Sequence, residues 1–300
     1  HWLSLEWLKE LGFRINPNNL ICHTLQEVED YYNYWLEYRH DLPYEADGVV
    51  IKIDRLAYQE ALGTVGREPR WAIAYKFPAK QAITRLLDIG IYVGRTGSLN
   101  PYAILDPVVV SGATVRQASL HNQEDVHRKD IRIGDWVTIE RAGDVIPHVV
   151  GPVVARRDGN ERVFQIPETC PVCRTPVIKP EDEAMHRCPN SSCPAQFFEL
   201  LKHYVSKGAM DIDGLGERWC RILIDEGMVK DVASLYYLNK GQLLELDRMG
   251  DKLATKIIDN VRSSKSRGLP RLVFALGILH VGSEIAELLT QRYSTLADLA

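Results

Sequence analysis

The sequence predicts a multidomain α+β protein, on three observations. Its hydrophobic periodicity changes character along the chain: helical and strand patterns alternate up to about residue 87, short β-branched runs broken by Gly and Pro fill 88–165, and the remainder from 198 is helical. Between the last two stretches, 166–197 hold four of the six Cys and too few apolar residues for a core of their own. With 300 residues, 45% of them hydrophobic and 25% charged, the chain has room for several cores. The expected domains are therefore 1–87, 88–165, 166–197 and 198–300.

In the first stretch, Leu25 to Tyr32 opens a helix and Gly48 to Ile53 reads as a strand. Alternation along Asp47-Gly48-Val49-Val50-Ile51-Lys52-Ile53-Asp54 puts Val49, Ile51 and Ile53 on one face and Gly48, Val50 and Lys52 on the other. Further on, the bulky Trp71, Ile73, Tyr75 and Phe77 share a face, while Ala72, Ala74 and Lys76 share the opposite one. Small residues beside a cation leave room for a flat, negatively charged ligand. A buried ammonium needs such a partner, and a phosphate also favours its protonated form. Edge-strand lysines reaching solvent would give the same pattern.

The second stretch carries Val108-Val109-Val110, Trp136-Val137-Thr138-Ile139 and His148-Val149-Val150, with a polar helical insert near Asn122 to Lys129. Five strands and one helix fit a small Greek-key barrel of the oligonucleotide-binding (OB) kind. The third stretch holds Cys170-Pro171-Val172-Cys173, then, after fourteen residues, Cys188 and Cys193. Two close thiol pairs fold onto one tetrahedral ion, and four Cys leave no open position, so the metal is structural and the expected ion is zinc. Clustered pairs without a secretory signal favour metal over disulfides. His186 is a spare donor beside a set the thiols already complete, and Cys22 and Cys220 read as core thiols.

The helical stretch breaks at Gly214-Leu215-Gly216, Met249-Gly250 and Val281-Gly282, and Gly216, Gly250 and Gly282 recur at spacings of 34 and 32 residues. A tetratricopeptide array has a similar period, but its Trp-x-x-Leu-Gly-x-x-Tyr pattern is absent. Each break is instead a short apolar-x-Gly turn running into a helix, which is the helix-hairpin-helix form. Unpaired amides at such a helix start hold a phosphate oxygen without a cationic side chain. Joining packed helices is the plainer use of the same glycines.

Net charge is −4, and no stretch has a basic surplus, so binding to nucleic acid would rest on placed amides and a few Arg rather than bulk charge. No apolar run approaches the ~20 residues of a membrane helix. The chain opens on His1-Trp2-Leu3 and stops within a helical pattern, so it is expected to be an internal piece of a longer protein.

Asp-Gly-Val-Val-Ile-Lys at 47–52 and Pro69-Arg70-Trp71-Ala72-Ile73-Ala74-Tyr75-Lys76-Phe77-Pro78-Ala79 resemble the fourth and fifth nucleotidyltransferase motifs of bacterial NAD-dependent DNA ligases. Val93 to Gly97, Ser119-Leu120-His121-Asn122 and Arg141 to Pro147 resemble that family's OB domain, the four Cys its zinc finger, and the glycine hairpins its helix-hairpin-helix domain. The resemblance implies that 1–87 is the end of an adenylation domain. It also implies a monomeric, cytoplasmic, nucleoid-associated bacterial enzyme of DNA replication and repair, acting on nicked double-stranded DNA. In that family a lysine takes AMP from NAD, the AMP passes to the 5′-phosphate of the nick, and the 3′-hydroxyl displaces it. By this resemblance Lys52 and Lys76 contact the AMP phosphate, and Mg2+ (or Mn2+) assists phosphoryl transfer. Arg95 and Arg141 meet the DNA backbone, Asp144, Val145 and Ile146 lie against the minor groove, and Gly214, Gly216, Gly250 and Gly282 offer backbone contacts.

The chain departs from the family pattern in one respect that matters. The adenylated lysine lies in Lys-x-Asp-Gly, which is absent here, since Lys52-Ile53-Asp54 is followed by Arg55. The nucleophile is expected upstream of His1, together with the nicotinamide-recognising domain; a last helix-hairpin-helix repeat and a BRCT domain are expected downstream. A non-catalytic DNA-binding module of OB, zinc finger and helix-hairpin-helix domains is the rival reading, and it leaves the paired lysines unexplained. A repeat scaffold without nucleic acid leaves the zinc module and the barrel without a purpose as well.

Overall fold

The structure, a computed structural model, describes residues 1–66, 68–110, 112–141 and 146–299. They gather into two compact units: one of residues 1–84, 107–118 and 138–150, the other of 85–106, 119–137 and 151–300.

The first unit begins with α1 (Trp2–Glu10) and α2 (Leu25–Tyr38), followed by β1 (Gly48–Lys52), α3 (Leu56–Leu62), the short pair β2 (Thr64–Val65) and β3 (Glu68–Pro69), and β4 (Ala72–Lys76). Thr24 starts α2 by accepting a hydrogen bond from the Glu27 amide through its hydroxyl, at 3.2 Å. Tyr32, the buried residue of that helix, explains where α2 lies. Its ring stacks on Tyr75 with centroids 3.9 Å apart, and its hydroxyl donates to the Lys76 carbonyl at 3.0 Å. Tyr32 thus sets α2 against Tyr75 and Phe77, at one end of the bulky face of β4, while Ile73 on the same face stays exposed.

The barrel expected from the second stretch is present. Strands β5 (Lys80–Val93), β6 (Leu99–Val110), β7 (Ala113–Ser119), β9 (Trp136–Arg141) and β10 (His148–Pro152) close in the order β10-β7-β6-β5-β9. Between β7 and β9 come α4 (Gln123–Arg128) and β8 (Arg132–Ile133), the latter paired with β11 (Arg162–Val163). A register shift between Leu86 and Asp88 marks a bulge, after which the buried positions of β5 change phase from Leu86 to Ile89 and Val93. Opposite Gly90 lies Tyr102, whose ring occupies the place of a side chain: an added Cβ would come within 2.3 Å of its Cζ.

A buried ion pair latches the chain after the barrel. The Asp135 carboxylate, fully buried, accepts from Arg157 Nε at 2.7 Å, Arg157 Nη2 at 2.8 Å and the Arg132 amide at 2.7 Å. Arg157→Met is expected to leave that carboxylate buried without a counter-charge and to cost about 3–5 kcal/mol. Urea unfolding followed by tryptophan fluorescence would measure it, and a loss below ~1 kcal/mol would refute the latch.

The remaining helices are α5 (Pro194–Val205), α6 (Glu217–Asp225), α7 (Lys240–Leu244), α8 (Asp251–Ser264), α9 (Leu269–Ala275), α10 (Ser283–Arg292) and α11 (Leu296–Leu299). Leu201, Ile212, Leu223, Leu235, Leu243 and Ile257 anchor a core shared by α5 to α9. Cys220 is buried within it, and burial pushes its thiol up to about 11, as befits a packing residue. A chain of hydroxyls crosses the core edge, from Tyr204 to Tyr236 at 2.9 Å and from Tyr236 to Ser264 at 3.1 Å. Among the described residues, no helix is long and apolar enough to cross a membrane.

Candidate functional site

Strands β1 and β4 run antiparallel with Gly48 opposite Lys76, Val50 opposite Ala74 and Lys52 opposite Ala72. Residues directly opposite share a face, so both lysines stand on one side of the ladder, at opposite ends of a floor made of Gly48, Val50, Ala72 and Ala74. The four-carbon stems are flexible enough to lean inward toward one anion between them. Gly48 makes the close pairing possible: a Cβ there would lie 2.4 Å from the Tyr75 carbonyl oxygen and 2.7 Å from the Lys76 Cα. Gly48→Ala is expected to push β1 from β4 and cost about 1–3 kcal/mol, read as a shift in the urea midpoint.

Of the two arrangements left open by the sequence, lysines buried against a ligand or lysines reaching solvent, the structure has the second: both are exposed. Lys52 forms no ion pair among the described residues. Lys76 Nζ lies 2.7 Å from the Asp47 carboxylate, with the two side chains 57% and 47% exposed. An ion pair so open to water holds by about 0–1 kcal/mol, so a phosphate could displace Asp47 readily. Asp47 was not singled out in the sequence because its role depends on strand register, which puts its carbonyl 2.8 Å from the Phe77 amide.

Beside Asp47 opens a cleft of about 690 Å³ lined by Arg39, His40, Glu45, Lys80 and Arg141, among others. The Arg39 guanidinium lies 5.2 Å over the Phe77 ring. Of these cations only Arg141 was expected at a site; Arg39 carries no local signal, being an ordinary residue just after α2. Asp144 and Val145 lie outside the described residues, and Ile146 is 75% exposed.

In the second unit the four thiols of Cys170, Cys173, Cys188 and Cys193 lie within 4.8 Å of one another. Cys173 and Cys188 sulfurs are 3.5 Å apart, Cys170 and Cys193 sulfurs 4.0 Å. Tetrahedral zinc with bonds of ~2.3 Å sets its sulfurs ~3.8 Å apart, so the set fits one ion and is far too open for disulfides. Burial pushes the Cys188 and Cys193 thiols up, while hydrogen bonds from Thr175 pull Cys173 down to about 6. Local geometry shapes the first pair: Arg174 takes positive φ, and its amide donates to the Cys170 carbonyl at 3.0 Å. Cys193 stands at the N-cap of α5, with Pro194 next.

Gly216, Gly250 and Gly282 stand at the N-caps of α6, α8 and α10, each without a side-chain cap. By contrast α2, α4 and α7 are capped by Thr24, Asn122 and Asn239. Among the described residues, a Cβ would meet nothing within 4 Å at any of the three glycines. Gly214 differs, with φ +101° and Ile257 3.0 Å from an added Cβ. Arg95 is exposed in the turn between β5 and β6.

Comparison with known proteins bears on three parts of the chain. Models of the NAD-dependent DNA ligase adenylation domain, OB-fold domain and C4 zinc finger domain match residues 1–80, 83–161 and 169–195. A DNA ligase of Dehalococcoides mccartyi (strain ATCC BAA-2266 / KCTC 15142 / 195) is 55% identical over 310 residues, covering 100% of this chain and 46% of the relative. DNA ligases of Halalkalibacterium halodurans and Roseiflexus castenholzii are 49% and 48% identical, again over 100% of this chain and over 45% and 42% of their own lengths. The chain thus spans a little under half the length of these relatives. Three domain models in succession, and relatives of one name matching it from end to end, place the chain in the NAD-dependent DNA ligase family.

Proposed function

We propose that this chain is the central part of an NAD-dependent DNA ligase that seals 5′-phosphate/3′-hydroxyl nicks in duplex DNA during replication and repair. The observation that carries the reading is the pair of lysines on one open face of β1 and β4, over a floor of small residues. Lys52 and Lys76 hold the AMP phosphate and offset the charge that develops at phosphorus. Mg2+ supplies further charge neutralisation when bound. The four-Cys site holds structural zinc.

DNA is held by Arg95, Arg141 and the 144–146 segment at the backbone and minor groove, and by the amides that follow Gly214, Gly216, Gly250 and Gly282. The working divisions are 1–87 for the adenylation domain, 88–165 for the OB domain, 166–197 for the zinc finger and 198–300 for the helix-hairpin-helix part. The protein works as a monomer on chromosomal DNA in the bacterial cytoplasm.

Intact mass of the full-length protein after incubation with Mg2+ and either NAD or ATP tests the reading. A gain of one AMP from NAD alone is expected. Gain from ATP alone would overturn the cofactor assignment, and no gain from either would favour the non-catalytic DNA-binding module. Residues 1–300 by themselves contain no Lys-x-Asp-Gly and are expected to gain no AMP from NAD. A gain by this piece would refute the placement of the nucleophile outside it.

A further inference from the structure

We propose that the zinc finger is the clamp that holds the Arg95 turn in place, with Arg187 and Gln196 as positioning residues; this rests on the DNA role proposed for Arg95. The turn Gly94-Arg95-Thr96-Gly97 is closed by its own backbone, with Gly94 N–H on the Ser98 carbonyl and Gly97 N–H on the Gly94 carbonyl, both at 2.9 Å. Residues of the finger extend that ladder. The Cys188 amide donates to the Gly97 carbonyl at 2.8 Å, the Leu99 amide donates to the His186 carbonyl at 2.8 Å, and Ser98 bridges Arg187 as an antiparallel neighbour. The far edge of Arg187 pairs in turn with Ile178.

Side chains complete the grip. Arg187 Nη1 donates to the Thr96 carbonyl at 3.1 Å and to its hydroxyl at 3.2 Å. Gln196, 8% exposed, donates to the Cys188 carbonyl at 3.0 Å and the Asn190 carbonyl at 2.9 Å. Gly97 permits the approach: at φ +81° an added Cβ would lie 2.3 Å from the Cys188 oxygen. Val93 and Leu99, which flank the turn, share one buried cluster with Cys170, Cys188 and Cys193. Cys188 therefore belongs to the thiol set through its sulfur and to the turn through its amide. Loosening of the thiol set would thus reach the turn directly through Cys188, and through its neighbours His186 and Arg187.

Arg95 itself has its stem along Gly277, where a Cβ would lie 3.3 Å from its Cδ, and its charge helps hold His203 below the ordinary imidazole range, after burial. An exposed arginine on a free hairpin tip would sample many directions. One on a clamped turn meets a phosphate with less ordering to do, which favours binding without any added contact.

The test uses the full-length zinc-loaded protein and a nicked duplex, with affinity measured by fluorescence anisotropy across a salt series. Arg187→Met is expected to keep its zinc and bind on the order of tenfold more weakly. In an Arg95→Ala background the same change is expected to cost nothing further, because it acts through Arg95. Arg95→Ala should also reduce the salt slope by about 1, and Arg187→Met should reduce it in the same direction.

Additive losses, unchanged affinity in Arg187→Met, or loss of its zinc would overturn the proposal. Should that variant not fold, amide exchange on the unmodified protein decides. Chelation is expected to expose the Leu99 and Cys188 amides together, and a Leu99 amide that stays protected sinks the clamp. If Arg95→Ala binds nicked DNA normally, the DNA role of Arg95 is wrong, and the exchange experiment then judges the clamp alone.

Discussion

Lys52→Ala or Lys76→Ala in the full-length protein is expected to slow nick sealing by about 10²–10³-fold each, with affinity for nicked DNA and folding stability little changed. The size follows from the role proposed for each ammonium: a positive charge fixed beside phosphorus would stabilise the transition state more than the ground state, so its removal would appear in kcat. The absence of a stability effect follows from exposure. Lys52 has no ion pair among the described residues, and Lys76 only the half-exposed one with Asp47, so neither deletion empties a core or strands a buried charge. Single-turnover sealing of a labelled nick, with gel shifts run in parallel, separates chemistry from binding. Sealing at the unmodified rate by both variants would refute the assignment. A matched loss of sealing and DNA affinity would move the lysines from the phosphate of AMP to that of DNA.

Cys193→Ala is expected to weaken zinc binding by far more than about a hundredfold, the upper range for losing an outer partner of a ligand, because it opens the tetrahedral set itself. Cys193 is fully buried and also starts α5, its carbonyl accepting from the Phe197 amide at 3.0 Å. Its loss should therefore melt 166–197 and fray the first turn of the helix with it. His186→Ala is the informative control. Its Nδ1 is buried with no hydrogen-bond partner among the described residues, and four thiols suffice for a tetrahedral shell. Metal content by atomic absorption should stay at one zinc per chain for His186→Ala and fall toward none for Cys193→Ala. Equal retention by both would mean that the thiols are not the donors.

Much of this was legible in the sequence, and the reason lies in range. The four Cys declared themselves because each pair is local, with two or four residues between partners. Strand alternation likewise put Lys52 and Lys76 on defined faces of their own strands. It did not show that β1 and β4 pair with Gly48 opposite Lys76, since register is a choice between segments far apart in the chain. Whether the lysines are buried or exposed stayed open for the same reason: a face looks interior when its strand is apolar, whatever covers it in space. The bulge after Leu86 was hidden because a change of phase looks, in sequence, like broken alternation. Arg187 gave no sign at all, as a basic residue beside a cysteine has no pattern that foretells a neighbouring turn 91 residues away.

The bare glycines at the starts of α6, α8 and α10 bear on how this protein could be engineered. At Gly250, φ is −84° and nothing among the described residues lies within 4 Å of an added Cβ, so serine or aspartate fits there without strain. Either would satisfy a helix amide and add a few tenths of a kcal/mol. The same oxygen, however, would occupy the amides that a DNA phosphate is proposed to use, and aspartate would repel that phosphate as well. Hardening these helix starts against heat would thus exchange grip on DNA for rigidity, a trade between durability and affinity that a screen for thermal stability alone would not reveal.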